Sequence, residues 1–199
     1  MPTVAEQKNE LRTRMKQTLR DYCAMHDFVQ ASERARQKVL DSACFAQADI
    51  VLGYLFHGDE ADCTAVLYRA LAKEKIAGVP RVVPHTSDMD FYLLDGTLPF
   101  GDQIERGAFG ISEPVISLEK LTLSPSLSQK RVLMLVPGLA FTTDGKRLGR
   151  GKGFYDRFIT RLRKTGAHVT LAGFCFPCQI VSDLPVDAHD ERMDVVFTA

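Results

Sequence analysis

The chain has 199 residues, 45% of them apolar, with 25 Lys and Arg balancing 25 Asp and Glu. That length and composition predict one globular domain over residues 1–199 with a sizeable core. Zero net charge excludes a global electrostatic case for nucleic acid or an anionic membrane, and no apolar run reaches the length needed to span a bilayer.

Residues 4–25 are predicted to form a helix, because Leu11, Met15, Leu19 and Tyr22 recur on one face. Lys8 falls inside that face and Arg12 lies just beside it. A lysine directed at the protein body must meet an anion or snorkel out. A second helix is expected from Ser32, read as its N-cap, to about Ala46. Ile50–Phe56 reads as a strand buried on both faces, followed by the polar loop His57–Asp62. A helix is expected over 65–75, closed by Gly78-Val79-Pro80, and then short strands at 81–84 and 91–94. Residues 96–114 carry four glycines and two prolines and read mostly as loop, and 117–130 as a surface connection. Further strands are predicted at 132–136, 169–174 and, at the sheet edge, 194–198, with a helix at 153–163. Strands alternating with helices predict a three-layer α/β fold: a mostly parallel sheet with helices on both faces. Ligands in such sheets bind at the carboxyl ends of the strands, where the loops 57–62 and 142–153 both fall.

The segment Leu148-Gly149-Arg150-Gly151-Lys152-Gly153-Phe154-Tyr155-Asp156-Arg157 interleaves three glycines with cations. Successive amides in such a turn form an anion-binding concavity. From Asp144 to Lys164 there are eight Lys or Arg against two Asp, a local excess in a balanced chain. The spacing is neither a P-loop nor a dinucleotide fingerprint, so a solvated glycine turn remains an alternative. Cys175-x-x-Cys178 has no second paired-cysteine element and reads as buried thiols at a strand end. Five cysteines at irregular spacing, together with a charged N-terminal segment lacking a secretory signal's apolar core, point to a reducing, cytoplasmic setting. Asp62 reads as a helix N-cap, Asp144 as a turn residue and His189 as exposed.

With these residues in place, the chain resembles the 5-formyltetrahydrofolate cyclo-ligases, also called methenyltetrahydrofolate synthetases. The likeness runs collinearly through Lys8-x-x-x-Arg12, Glu60-x-Asp62, Phe109-Gly110-Ile111-x-Glu113-Pro114 and Val136-Pro137-Gly138-Leu139-Ala140-Phe141. It continues through Asp144-x-x-x-Arg147 into the glycine segment up to Asp156, then Gln179, Leu184-Pro185, Asp190 and Asp194. The resemblance implies the sugar-phosphate isomerase/CoA transferase-like architecture and an ATP- and Mg²⁺-dependent reaction. ATP phosphorylates the formyl oxygen of 5-formyltetrahydrofolate, N10 attacks the activated carbon, and loss of phosphate leaves 5,10-methenyltetrahydrofolate. Phosphoryl transfer of this kind needs positioning and charge neutralisation more than covalent help.

The resemblance also implies roles. Arg150, Lys152 and Tyr155 are the catalytic candidates. Lys8, Arg12, Arg147, Leu148, Gly149, Arg150, Gly151, Lys152, Gly153, Phe154 and Tyr155 match nucleotide contacts. Leu55 and Glu60, with Arg150 to Phe154, match folate contacts, and Asp156 and Asp190 match Mg²⁺ carboxylates. Phe154 stands where the family usually has Tyr, His57 where Met is common and Cys63 where Thr is common. Small molecules, not nucleic acid or membrane, are the expected partners, and a monomer is expected. Two rival readings stay open: an isomerase- or transferase-like enzyme on the same architecture, and a non-catalytic RNA-binding homologue.

Overall fold

The computed structural model describes residues 2–107, 110–187 and 189–199. Phe109, quoted above, therefore lies outside the described residues. Helix α1 spans Val4–Met25, opened by a capping box in which Thr3 and Glu6 satisfy each other's backbone N–H. Its inward face is Leu11, Met15 and Leu19, and Lys8 is buried with them.

The expected helix 32–46 is two helices. α2 runs Phe28–Leu40 and α3 Ala43–Gln47. Asp27 wins the N-cap, accepting from the N–H groups of Val29 and Gln30 at 3.1 Å. Ser32 lies inside α2, buried, and accepts from the Asp62 N–H instead. Ser42 caps α3, so the break at Asp41-Ser42 follows from a second good cap inside the predicted span.

Strand β1 is shorter than predicted, Ile50–Leu52, and leads to α4, Thr64–Leu71. β2 covers Ile76–Val82 and β3 Met89–Leu93. Gly78-Val79-Pro80, read as closing a helix, is mid-strand. Pro80 lies beyond Gly78, the last residue paired to β1, so its missing N–H falls where β2 has a neighbour on one side only. The stretch expected to be mostly loop holds a 3-10 turn, Phe100–Gln103, and a hairpin of β4, Ile104–Arg106, with β5, Ser112–Pro114. The rest of the core is β6, Arg131–Val136; the small hairpin of β7, Ala140–Phe141, and β8, Arg147–Leu148; α5, Phe154–Arg163; β9, His168–Cys175; and β10, Val195–Thr198.

The main sheet has the order β10-β9-β6-β1-β2-β3, parallel except for the antiparallel edge strand β3. Alternation splits each central strand between two cores. Val51, Leu133 and Leu135 face α1 to α4, whereas Ile50, Leu52, Met134 and Val136 face Phe158, Ile159 and Leu162 of α5. This is the three-layer arrangement expected from sequence. Among the described residues no helix is long and apolar enough to cross a membrane.

Candidate active site at the switch point of the sheet

From β1 the chain passes through α4 to β2 on one side, and from β6 through α5 to β9 on the other. β1 and β6 are themselves neighbours. Their carboxyl ends thus form the topological switch point, where a doubly wound sheet opens a crevice. The loop after β1 brings Leu55 and Glu60 there, and the segment after β6 brings residues 137–153.

Across this crevice Arg150 Nε donates to Glu60 Oε1 at 3.0 Å, and Arg150 Nη2 to Asp59 Oδ1 at 2.9 Å. The second Glu60 oxygen accepts the His57 N–H at 3.0 Å. Burial pushes the Glu60 carboxyl above its usual range, and the Arg150 guanidinium only partly offsets this. The turn itself depends on Gly151 (φ +96°) and Gly153 (φ +67°), the latter acting as N-cap of α5. Arg12 reaches the turn from α1, donating from Nε to the Gly149 carbonyl at 3.0 Å. Lys152 is exposed and has no ion partner among the described residues.

Arg147 is buried: Nη2 pairs with Asp156 Oδ1 at 2.8 Å, Nη1 donates to the Pro137 carbonyl at 3.2 Å, and the guanidinium lies 5.8 Å from the centre of the Tyr155 ring. Its Nε is buried without a hydrogen-bond partner among the described residues. Burial first, then the Glu60 charge, pushes the Tyr155 phenol well above its ordinary value, so it stays protonated. Leu148 is buried, and its carbonyl accepts from Leu139 N–H at 2.7 Å. Phe154 lies under the Arg157 guanidinium.

Lys8 meets anions as its helical phase requires, but they are carboxylates of this chain: Asp187 at 2.7 Å and Asp190 at 2.5 Å. Burial opposes the Lys8 charge, yet the hydrogen bonds it donates to both carboxylates, with their negative charge, outweigh it and raise the ammonium's pKa. Asp156 Oδ1 also accepts weakly from the N–H of Glu191, the residue that follows Asp190 in the chain. One oxygen of each expected metal carboxylate, Asp156 Oδ2 and Asp190 Oδ1, makes no hydrogen bond among the described residues. Two such hard oxygen donors fit Mg²⁺, whose shell ordinarily takes one or two carboxylates and is completed by phosphate and water. No group of three or more His, Cys, Asp or Glu side chains placed to hold a metal occurs among the described residues. Beside them lies a cavity of about 300 Å³ lined by Arg147, Asp187 and Asp190 among others. A larger cavity of about 490 Å³, near Phe45 and Lys75, lies at the amino ends of β1 and β2, away from the glycine turn.

The sequence's cationic excess is largely neutralised in space. Six of the eight cations between residues 144 and 164 pair with acids, most of them from other segments: Lys146 with Asp183, Arg147 with Asp156, Arg150 with Asp59 and Glu60, Arg157 with Asp88, Arg161 with Asp90 and Arg163 with Glu191. Asp59 and Asp187 were missed as partners. The only signal for either was its place in a short acidic cluster beside Glu60 or Asp190. Asp62 is not the N-cap expected from sequence: Cys63 holds that position in α4, and Asp62, one residue earlier, accepts from the Thr64 N–H at 2.8 Å in a local turn and pairs with Arg36. Asp144 accepts from the Thr142 hydroxyl and pairs with Arg192, as a turn residue would. His189 is exposed.

Cys175 and Cys178 are free thiols, pushed up by burial to about 12 and about 11. Little thiolate then exists at neutral pH. Both are expected to resist iodoacetamide at pH 7.5 in the native chain and to label once guanidinium unfolds it. Rapid native labelling of Cys178, followed by mass spectrometry, would contradict this.

A doubly wound α/β sheet whose switch-point crevice joins a cationic glycine turn to an acidic loop defines a protein of the α/β ligand-binding class. The chain belongs to the 5-formyltetrahydrofolate cyclo-ligase family, whose family model matches residues 4–199. It is similar to the mouse protein named 5-formyltetrahydrofolate cyclo-ligase, 29% identical over 197 residues, covering 98% of this chain and 95% of that one. The Caenorhabditis elegans probable 5-formyltetrahydrofolate cyclo-ligase is 26% identical over 199 residues, covering 99% and 95%. The solution structure of Aquifex aeolicus 5,10-methenyltetrahydrofolate synthetase superposes with a TM-score of 0.72 at 29% identity, covering 96% of this chain and 88% of that one. The Mycoplasma pneumoniae synthetase, at 19% identity, shares the fold with a TM-score of 0.67 over 96% and 98% of the two chains.

Proposed function

We propose that this chain catalyses the ATP- and Mg²⁺-dependent cyclisation of 5-formyltetrahydrofolate to 5,10-methenyltetrahydrofolate, releasing ADP and phosphate. The observation that carries the proposal is the meeting of Arg150 with Glu60 across the switch-point crevice, which puts the candidate nucleotide turn within one side chain of the candidate folate loop. Transfer of a phosphoryl group to the formyl oxygen requires that proximity.

In this reading Glu60 accepts two parallel hydrogen bonds from the pterin amino group and ring N–H, and Leu55 lines the same loop. The amides of Gly149 to Gly153, with Arg12, Arg150 and Lys152, bind the triphosphate. Arg147 acts from below the surface by fixing Asp156 and the Tyr155 ring. Tyr155, held neutral, can donate a hydrogen bond but cannot serve as a phenolate base at pH 7. Asp156 and Asp190 would hold Mg²⁺, which when bound neutralises phosphate charge. Lys8 is a nucleotide contact only after it leaves Asp187 and Asp190. The active unit is taken to be one chain in the cytosol.

The direct test mixes protein, ATP, Mg²⁺ and 5-formyltetrahydrofolate and follows the near-ultraviolet absorbance of the methenyl product. Absence of product, or product formed equally well without ATP, would overturn the reading. Glu60→Gln gives a sharper result. The raised Glu60 pKa means that the folded chain favours the protonated carboxyl more than the unfolded chain does. The ionised form therefore costs stability at neutral pH, a cost relieved as pH falls through the folded-state pKa. Loss of that charge is expected to leave the melting temperature at pH 7 unchanged or higher. Folate affinity is expected to drop about 10- to 100-fold, the scale of a charge-assisted pair, with nucleotide affinity not reduced. Calorimetry that found both affinities lowered equally would remove Glu60 from the folate site.

A further inference from the structure

Resting on the cyclo-ligase reading, we propose that Asp59 is a positioning residue that, together with Glu60, holds Arg150 away from the nucleotide until folate binds. Folate then releases Arg150 to the phosphates. In the chain alone, the Arg150 fork is divided between two carboxylates at 2.9 and 3.0 Å, and both Glu60 oxygens are engaged, one by Arg150 and one by the His57 N–H. The pyrimidine edge of a pterin is itself guanidine-like: a ring N–H beside an amino N–H, two donors side by side. Arg150 therefore presents to Glu60 the same kind of donor that the pterin would bring.

Glu60 is 15% exposed at its side chain, so leaving it ionised and unpaired would be costly. Exchange of one donor group for another avoids that state. Once the pterin takes Glu60, Arg150 keeps only Asp59, and a single pair at a site where the arginine is 42% exposed is weak. The guanidinium is then free to turn toward phosphate charge, a local swing because Arg150 precedes Gly151 and Lys152 in the same turn. The consequence is positive coupling: folate tightens nucleotide binding, and nucleotide tightens folate binding by the same factor.

Calorimetry with a non-hydrolysable ATP analogue and Mg²⁺, with and without saturating 5-formyltetrahydrofolate, tests this. Folate is expected to tighten nucleotide binding to the natural chain. Asp59→Asn is expected to bind nucleotide about threefold more tightly without folate, the scale of an exposed ion pair, and to show correspondingly weaker coupling. In an Arg150→Ala background, Asp59→Asn is expected to change nothing. An equal gain in that background would reduce Asp59 to a general charge effect and overturn the proposal, as would a natural chain whose nucleotide affinity ignores folate. If that chain still forms methenyl product in the absorbance assay, only the release mechanism falls. If no product forms at all, the cyclo-ligase reading falls and the release mechanism with it.

Discussion

Lys152→Ala is expected to lower cyclisation turnover by about 10²- to 10³-fold, the scale of removing one preorganised charge-stabilising donor. The melting temperature should stay where it is. Lys152 sits between Gly151 and Gly153, both at positive φ, and its side chain is exposed with no ion partner among the described residues. Truncation therefore breaks no contact that supports the fold. Its neighbours differ: Arg147 is buried against Asp156, and Arg150 is shared by Asp59 and Glu60. Of the cations that the turn itself contributes, Arg150 and Lys152, only Lys152 has no carboxylate opposing its charge among the described residues. Lys164, which also lacks an ion partner among the described residues but closes the far end of α5, supplies the control, and Lys164→Ala should retain full turnover. Steady-state absorbance measurements paired with thermal melts decide the matter. A Lys152→Ala variant within twofold of the natural chain would take the glycine turn out of phosphate stabilisation.

The sheet was legible because strands buried on both faces read as continuous apolar runs, as at Val132–Val136, and α1 because its apolar phase persists from Leu11 to Tyr22, about three turns. Local chemistry misled where two residues could do the same job. Asp27 and Ser32 are both good caps, and tertiary packing of Ala31 and Ala35 put Ser32 inside the helix. Pro80 reads as a breaker until the strand order shows that it lies beyond the reach of β1. The hairpin β4–β5 is too short and too polar to stand out from the glycines around it. At the site, residue types were legible but pairings were not. Arg150 meets carboxylates 91 and 90 positions away, and Lys8 meets ones 179 and 182 positions away. Such contacts are set by the crossing of strands, and no local spacing encodes them. The apparent cationic excess was misleading for the same reason.

Gly145→Ala is expected to destabilise the chain by about 3 kcal/mol, combining the strain of a non-glycine residue at positive φ with an overpacked contact. Gly145 has φ +90°, and a Cβ there would stand 2.1 Å from the Met193 carbonyl oxygen, a backbone atom that cannot rotate aside. The same glycine accepts the Met193 N–H at 2.8 Å and donates to Thr142 O at 3.0 Å. It thus fastens hairpin β7–β8, which carries Arg147, to the segment that carries Asp187 and Asp190. The damage should reach the site as well as the fold: a displaced residue 193 shifts Glu191, whose N–H meets Asp156, and with it the partners of Lys8. Nucleotide affinity is therefore expected to fall even below the melting transition, where the chain is still folded. Gly101→Ala is the matched control, since a Cβ there meets open space. Urea denaturation of the two variants should separate them by most of the predicted difference. Equal midpoints would mean that Met193 can move without resistance, and the hairpin would then not be what holds the two halves of the site in register.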